Sequence, residues 1–277
     1  MPELPEVEHV VRALRRAVLG QRIIATEVRL PKLISPLSPP VFKRKLKNAL
    51  IQGIGRRGKY ILIELDSERV LAVHLRMTGQ FLVLTPDDPL PPHAHAIFYL
   101  DDERRLVFRD QRQFGVMKLV TASELIETKG IKELAPEPFS DDFSLAYLKE
   151  TLARSRRTLK TLLLDQTRVL GLGNIYAAEA LFRAGINPFK VASELSARRV
   201  AALHHAIRDV LRAAVSGNSA RRINLENANG FSYGEAFGRV WQVYEREGEA
   251  CFKCGTRIRR LQHGGRSTYW CPRCQRR

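Results

Sequence analysis

Four cysteines constrain the end of this chain more than any other feature. Cys251 and Cys254 are separated by two residues, as are Cys271 and Cys274, and sixteen residues lie between the pairs. Two knuckles at that separation can bring four sulfurs to the corners of a tetrahedron around one Zn²⁺. A disulfide pair or a redox motif would use the same residues. However, every cysteine falls within the last 27 residues, which points to a metal in a reducing compartment instead of a spread disulfide framework. A site closed by four protein thiolates is structural, so no catalytic role is expected of the zinc. The intervening Arg257–Trp270 reads as two strand-like halves around Gly264-Gly265, hence a hairpin. From Cys251 onward there are eight Lys or Arg residues and no Asp or Glu. A basic hairpin held rigid by metal suits phosphate contact, with Arg266 at its tip as the leading residue.

The whole chain shares that bias. It has 277 residues, 46 Lys and Arg against 29 Asp and Glu, and a formal charge of +17, which favours a polyanionic partner, most plausibly nucleic acid. RNA-binding proteins carry the same excess, so charge alone names no chemistry. No apolar run approaches the roughly 18 residues of a membrane span. The acidic opening lacks the apolar core of a signal peptide. The length suits two or three packed units.

Residues 6 to 19 carry Val7, Val10, Val11, Leu14, Ala17 and Val18 at helical spacing, and Gly20 supplies a stop. The pattern then changes to short strands at Arg22–Leu30, Ala49–Ile54, Lys59–Leu65, Val70–Leu75, Gln80–Leu84, Ala96–Leu100, Arg105–Phe108 and Gly115–Val120, with a short helix near Pro40–Asn48. So many strands in about a hundred residues imply a β-sandwich. Pro86 to His95 reads as a loop, and 121 to 140 as connecting structure with a hinge at Pro136 and Pro138. Helices follow at 144–154, 158–164, 174–184 and 195–215. Gly171-Leu172-Gly173-Asn174 precedes the third and offers backbone N–H groups to an anion, although by itself a tight helix connection is the better explanation. Residues 216 to 235 are polar and aperiodic. The fold class expected is therefore α+β and multidomain: an N-terminal β-sandwich with flanking helices, a helical domain and a C-terminal β-hairpin zinc finger.

Met1-Pro2-Glu3-Leu4-Pro5-Glu6 opens the chain. Proline and glutamate suit the first turn of any helix. Removal of Met1 would also leave Pro2 with a free secondary amine, a nucleophile flanked by two carboxylates that can move protons.

The ordered set Pro2-Glu3-Leu4-Pro5-Glu6-Val7-Glu8, Gly58-Lys59-Tyr60, His74-Leu75-x-Met77-x-Gly79, Arg112-x-Phe114-Gly115 and Gly171-x-Gly173-Asn174-Ile175-Tyr176, followed by the zinc hairpin, resembles the bacterial formamidopyrimidine-DNA glycosylases along nearly the whole chain. Leu4 and Asn174-Ile175-Tyr176 favour that branch over the related endonuclease VIII group. The resemblance implies a DNA glycosylase and abasic-site lyase of base-excision repair that removes oxidised purines from duplex DNA. It would be a bacterial cytoplasmic monomer with one structural Zn²⁺ and no membrane partner. It implies three segments: 1–135, the catalytic sandwich; 136–235, a helix–two-turn–helix domain with a lesion-capping loop; and 236–277, the zinc finger. Pro2 is implied as nucleophile and Glu3 as acid and base, with Lys59 and Arg266 completing the catalytic set and Glu6 positioning. His74, Met77, His95, Arg112, Phe114 and Asn174 are implied as DNA contacts. Among them Met77, Arg112 and Phe114 form a wedge that fills the gap left by the flipped nucleotide, with Arg112 on the orphaned base, expected to be cytosine.

Two departures stand out. Gln113 takes a place where several members carry a second basic residue. Ser219-Ala220-Arg221-Arg222-Ile223-Asn224 replaces the threonine-leucine and arginine-aspartate-aromatic pattern of many capping loops, which leaves lesion preference open. Two other readings stay compatible with charge and zinc: a catalytically silent lesion sensor, and endonuclease VIII-like preference for pyrimidines.

Overall fold

The valines and leucine of the opening segment recur every three or four residues, and helix α1 (Leu4–Val18) buries Val7, Val10, Val11, Leu14 and Val18 on its inner face. A computed structural model describes residues 2–216, 223–227 and 241–276. The chain divides into two compact units, Met1–Lys132 with Ser219–Gly238 and Glu133–Asn218 with Arg239–Arg277.

In the first unit α1 starts two residues earlier than the periodicity implied, because Glu3 and Glu6 form a reciprocal capping box and Pro5 stands in the first turn. Eight strands follow: β1 (Arg22–Val28), β2 (Ala49–Arg57), β3 (Tyr60–Leu65), β4 (Arg69–His74), β5 (Gly79–Leu84), β6 (Ala94–Leu100), β7 (Arg105–Asp110) and β8 (Val116–Thr121). Helix α2 (Pro39–Leu46) lies between β1 and β2. All pairings are antiparallel, in the order β5-β7-β6-β1-β2-β3-β4-β8. The two halves meet at β1 and β2 through only Arg22–Leu50 and Ile23–Ala49. Phe81, Phe98 and Phe108 from one half and Ile61, Val73 and Met117 from the other share one core with α1. This is the expected sandwich.

Three local features differ from expectation. The loop after β5 ends early, because Ala94 and His95 already belong to β6. The connecting stretch holds a short helix α3 (Ala122–Leu125), whose cap Thr121 and Glu124 again reciprocate. Within the aperiodic 216–235 stretch, Ile223 and Leu225 are buried in the sandwich core, and Val83 N donates to Leu225 O at 2.8 Å. Leu225 thus occupies part of the edge of β5, the terminal strand of the sheet, where an open edge would invite foreign strand pairing. Ser219 to Arg222 lie outside the described residues.

The second unit holds α4 (Leu145–Ala153), α5 (Leu159–Leu163), α6 (Asn174–Arg183) and α7 (Ala197–Ser216), then the hairpin β9 (Arg259–His263) and β10 (Arg266–Trp270). His263 Nε2 lies 2.8 Å from Thr158 Oγ1, which ties the hairpin to the start of α5. Among the described residues, no helix is long and apolar enough to cross a membrane.

Candidate active site and nucleic-acid interface

In the first unit, Pro2 and Glu3 sit at the N-terminal end of α1. Both are buried, Glu3 at 2 % exposure, and Glu3 N donates to Glu6 Oε2 at 2.8 Å. Glu6 thereby holds the backbone beside Pro2. A second link runs from the same helix. Glu8 meets Arg12 at 3.0 Å and Arg56 at 3.2 Å, and Arg56 donates onward to Gly58 O at 3.0 Å. Burial pushes the Glu8 carboxyl up, but the hydrogen bonds and charges of Arg56 and then Arg12 prevail and hold it below its ordinary value. Arg56 thus joins α1 to the tight turn that presents the buried Lys59.

His74 ends β4 and packs edge-on against Tyr60, with ring centroids 4.8 Å apart. Burial, then the charges of Arg76 and Lys59, bring it from 6.5 down to about 3. Arg76 N donates to His74 Nδ1 at 3.0 Å, so the neutral ring carries its proton on Nε2.

Met77 and Phe114 occupy the turns after β4 and β7. An apolar side chain ordinarily joins the core, yet these are 41 % and 51 % exposed. The Arg112 guanidinium lies 4.8 Å from the Phe114 ring centroid and 2.9 Å from Met77 Sδ. The three side chains expected as a wedge therefore form one exposed cluster. Each apolar member follows a residue in the left-handed region, Arg76 at φ 56° and Gln113 at φ 56°. Behind them a Cβ on Gly79 would lie 2.5 Å from Leu75 O, and one on Gly115 would lie 2.7 Å from Phe108 Cζ, so both turns need glycine. His95 lies behind this cluster: it is buried and its Nε2 donates to Asp110 O at 2.9 Å.

The remaining site residues belong to the second unit. Asn174 begins α6, and its Nδ2 donates to Ser267 O at 3.0 Å, next to the exposed Arg266. Lys160 Nζ reaches the same oxygen at 3.4 Å. The turn before Asn174 is held by Gln166, which accepts from Gly171 N at 3.0 Å and donates to Leu172 O at 2.9 Å.

The four cysteine sulfurs lie within 4.8 Å of one another. Cys251 to Cys274, Cys254 to Cys271 and Cys254 to Cys274 measure 3.9, 3.5 and 3.5 Å. A tetrahedron of thiolates around zinc has edges of about 3.8 Å, so the set fits one ion and no disulfide. The buried Gln275 supports it: its Oε1 accepts from Cys271 N at 2.9 Å and its Nε2 donates to Ile186 O at 2.9 Å.

The sequence alone does not mark Asp110, Thr78, Arg56 or Gln275; their roles exist only once distant turns meet.

Three family models match this chain. They are the formamidopyrimidine-DNA glycosylase N-terminal domain over residues 1–117, the formamidopyrimidine-DNA glycosylase H2TH domain over 134–224, and a zinc finger found in FPG and IleRS over 248–277. The formamidopyrimidine-DNA glycosylase of Pelotomaculum thermopropionicum is 45 % identical, covering 100 % of this chain and 99 % of its own. That of Bacillus subtilis is 43 % identical, covering 99 % of each. Lactococcus lactis Fpg bound to DNA containing an abasic site is similar in structure, with a TM-score of 0.89 at 34 % identity over 99 % of this chain and 100 % of that one. The same protein with Fapy-dG-containing DNA gives 0.88 at 36 % identity, over 99 % and 100 %.

Proposed function

The chain belongs to the formamidopyrimidine-DNA glycosylase family, and from that premise we propose that it excises formamidopyrimidines and 8-oxoguanine from duplex DNA and then nicks the strand at the resulting abasic site, in the bacterial cytoplasm. The observation that carries this reading is the pairing of Pro2 with the buried, helix-capping Glu3 at the docked end of α1.

A base stacked in duplex cannot be reached, so the damaged nucleotide must be extruded first. The Met77, Arg112 and Phe114 cluster would occupy the vacated space, with Arg112 on the orphaned cytosine, and His95 would hold that cluster in place. Once Met1 is removed, the Pro2 nitrogen has a lone pair. It attacks C1′ as the bond from C1′ to the base breaks, and the base leaves with a proton. Loss of the proton on nitrogen frees its lone pair, which forms the C1′=N⁺ bond of an iminium ion as the bond from C1′ to the ring oxygen breaks and Glu3, assisted by Lys59, protonates that oxygen. That cation withdraws electrons, so a C2′ proton can be removed. The 3′ phosphate departs first and the 5′ phosphate second. Neutral His74, Asn174 and Arg266 would contact backbone phosphates. The zinc holds the hairpin and supplies no chemistry.

The test is a panel of duplexes carrying 8-oxoguanine, a formamidopyrimidine, an oxidised pyrimidine or an abasic site, scored for strand cleavage. Cleavage of the purine lesions and the abasic site, abolished by Pro2→Gly, is expected. Cleavage restricted to the pyrimidine lesion would overturn the substrate assignment, and binding without cleavage would overturn the activity.

A further inference from the structure

Asp110 ends β7, is 1 % exposed, and lies between the two turns that carry the wedge. Its Oδ2 accepts from Gly115 N at 2.7 Å, on the far side of Phe114. Its Oδ1 accepts from Thr78 Oγ1, beside Met77. Thr78 Oγ1 itself accepts from Arg112 N at 3.0 Å, so its own hydrogen must go to Asp110. The backbone of Asp110 completes the junction: its N donates to His93 O at 3.0 Å, and its O accepts from Gln113 N at 3.2 Å and from His95 Nε2 at 2.9 Å.

We propose that Asp110, acting through Thr78, is a positioning residue that locks the Met77 turn to the Arg112–Phe114 turn and so sets how strictly the base opposite the lesion is read. This rests on the wedge reading above. The direction of the hydrogen bonds explains the residue type. Two donors, a hydroxyl and an amide N–H, converge on the two side-chain oxygens, and only a carboxylate offers an acceptor to both. Asparagine would set its NH₂ against one of them. The lock also has something to oppose, since Arg76 and Gln113 are held in the left-handed region, which side chains other than glycine adopt at a cost. Without it each turn would relax independently, and Arg112 would lose its fixed height over the opposite base.

Asp110→Asn, Thr78→Val and Thr78→Ser separate this role from general stability. The first reading is the ratio of excision opposite cytosine to excision opposite adenine. The second is nicking of a single-stranded abasic oligonucleotide, which has no opposite base. Asp110→Asn and Thr78→Val should lower the opposite-base ratio about tenfold, the weight of one good base contact, and lower single-strand nicking by much less. Thr78→Ser, which keeps the hydroxyl relay, should restore the ratio. Hydrogen exchange at the Gly115 amide reads the lock without any catalysis and should accelerate in Asp110→Asn. An unchanged ratio, an equal loss on both substrates, or a serine variant as poor as valine would overturn the proposal. If the wild type cleaves nothing, the functional reading fails, while slow exchange at Gly115 that Asp110→Asn leaves unaltered overturns the lock itself.

Discussion

At His74 the protonation state follows from surroundings that the sequence does not display. Burial and then the charges of Arg76 and Lys59 hold the ring at about 3, and its Nδ1 accepts a backbone N–H. A nitrogen-15 titration should find it neutral, with the proton on Nε2, from pH 8 down to pH 5; a midpoint near 6.5 would contradict this. The linkage sign follows. Its folded value lies below its unfolded one, so this histidine costs no stability above about pH 6.5 and increasingly destabilises the fold as pH falls from there toward about 3. From sequence, His74 was legible only as the end of a strand, and the phosphate contact proposed for it comes only by resemblance. Met77 and Phe114 show the reverse: composition assigns them to a core, and only the ordered motif set marks them for the surface. Asp110 was not legible at all, because an aspartate before a turn looks like any other until Thr78 is folded beside it.

Among the elements, the zinc hairpin depends most on its metal. Strand β9 is largely exposed, so the hairpin has little apolar core of its own. Cys254→Ser should therefore lose zinc, hairpin order and duplex affinity together, read by metal analysis and a binding titration; unchanged affinity in a metal-free protein would contradict the assignment. Helix α1 and the Lys59 turn are joined instead by charge. Removing Arg56 would leave the half-buried Glu8 with only its exposed partner Arg12. Arg56→Met should destabilise the first unit by about 1 kcal/mol in denaturant unfolding, and it should slow the reaction because the Gly58 carbonyl beside Lys59 loses its donor. Strand positions were legible because alternation and turn residues mark them directly. Their pairing was not, since the closing contact between β1 and β2 involves only two residue pairs and no signature. Likewise Ile223 and Leu225 sit in a polar stretch without period, so nothing local reveals that both join the sandwich core and that Leu225 pairs with the edge of β5.

Over the whole molecule, a formal charge of +17 makes phosphate contact and counterion release the expected source of DNA affinity. The proposed contacts should differ in kind. Arg266→Ala should weaken binding and reduce the slope of log affinity against log salt by about one. His74→Ala should weaken binding with no change of slope, because a neutral ring displaces no cation. Equal slope changes would contradict the neutral assignment. All of this serves one claim, that the Pro2 nitrogen is the nucleophile. Protein of verified mass, beginning at Pro2, should be mixed with an 8-oxoguanine duplex and borohydride, and the adduct digested and sequenced by mass spectrometry. The expected result is a covalent complex with the sugar remnant on Pro2, absent when Met1 is retained. An adduct on Lys59 or any other lysine, or no adduct from fully processed protein, would contradict it.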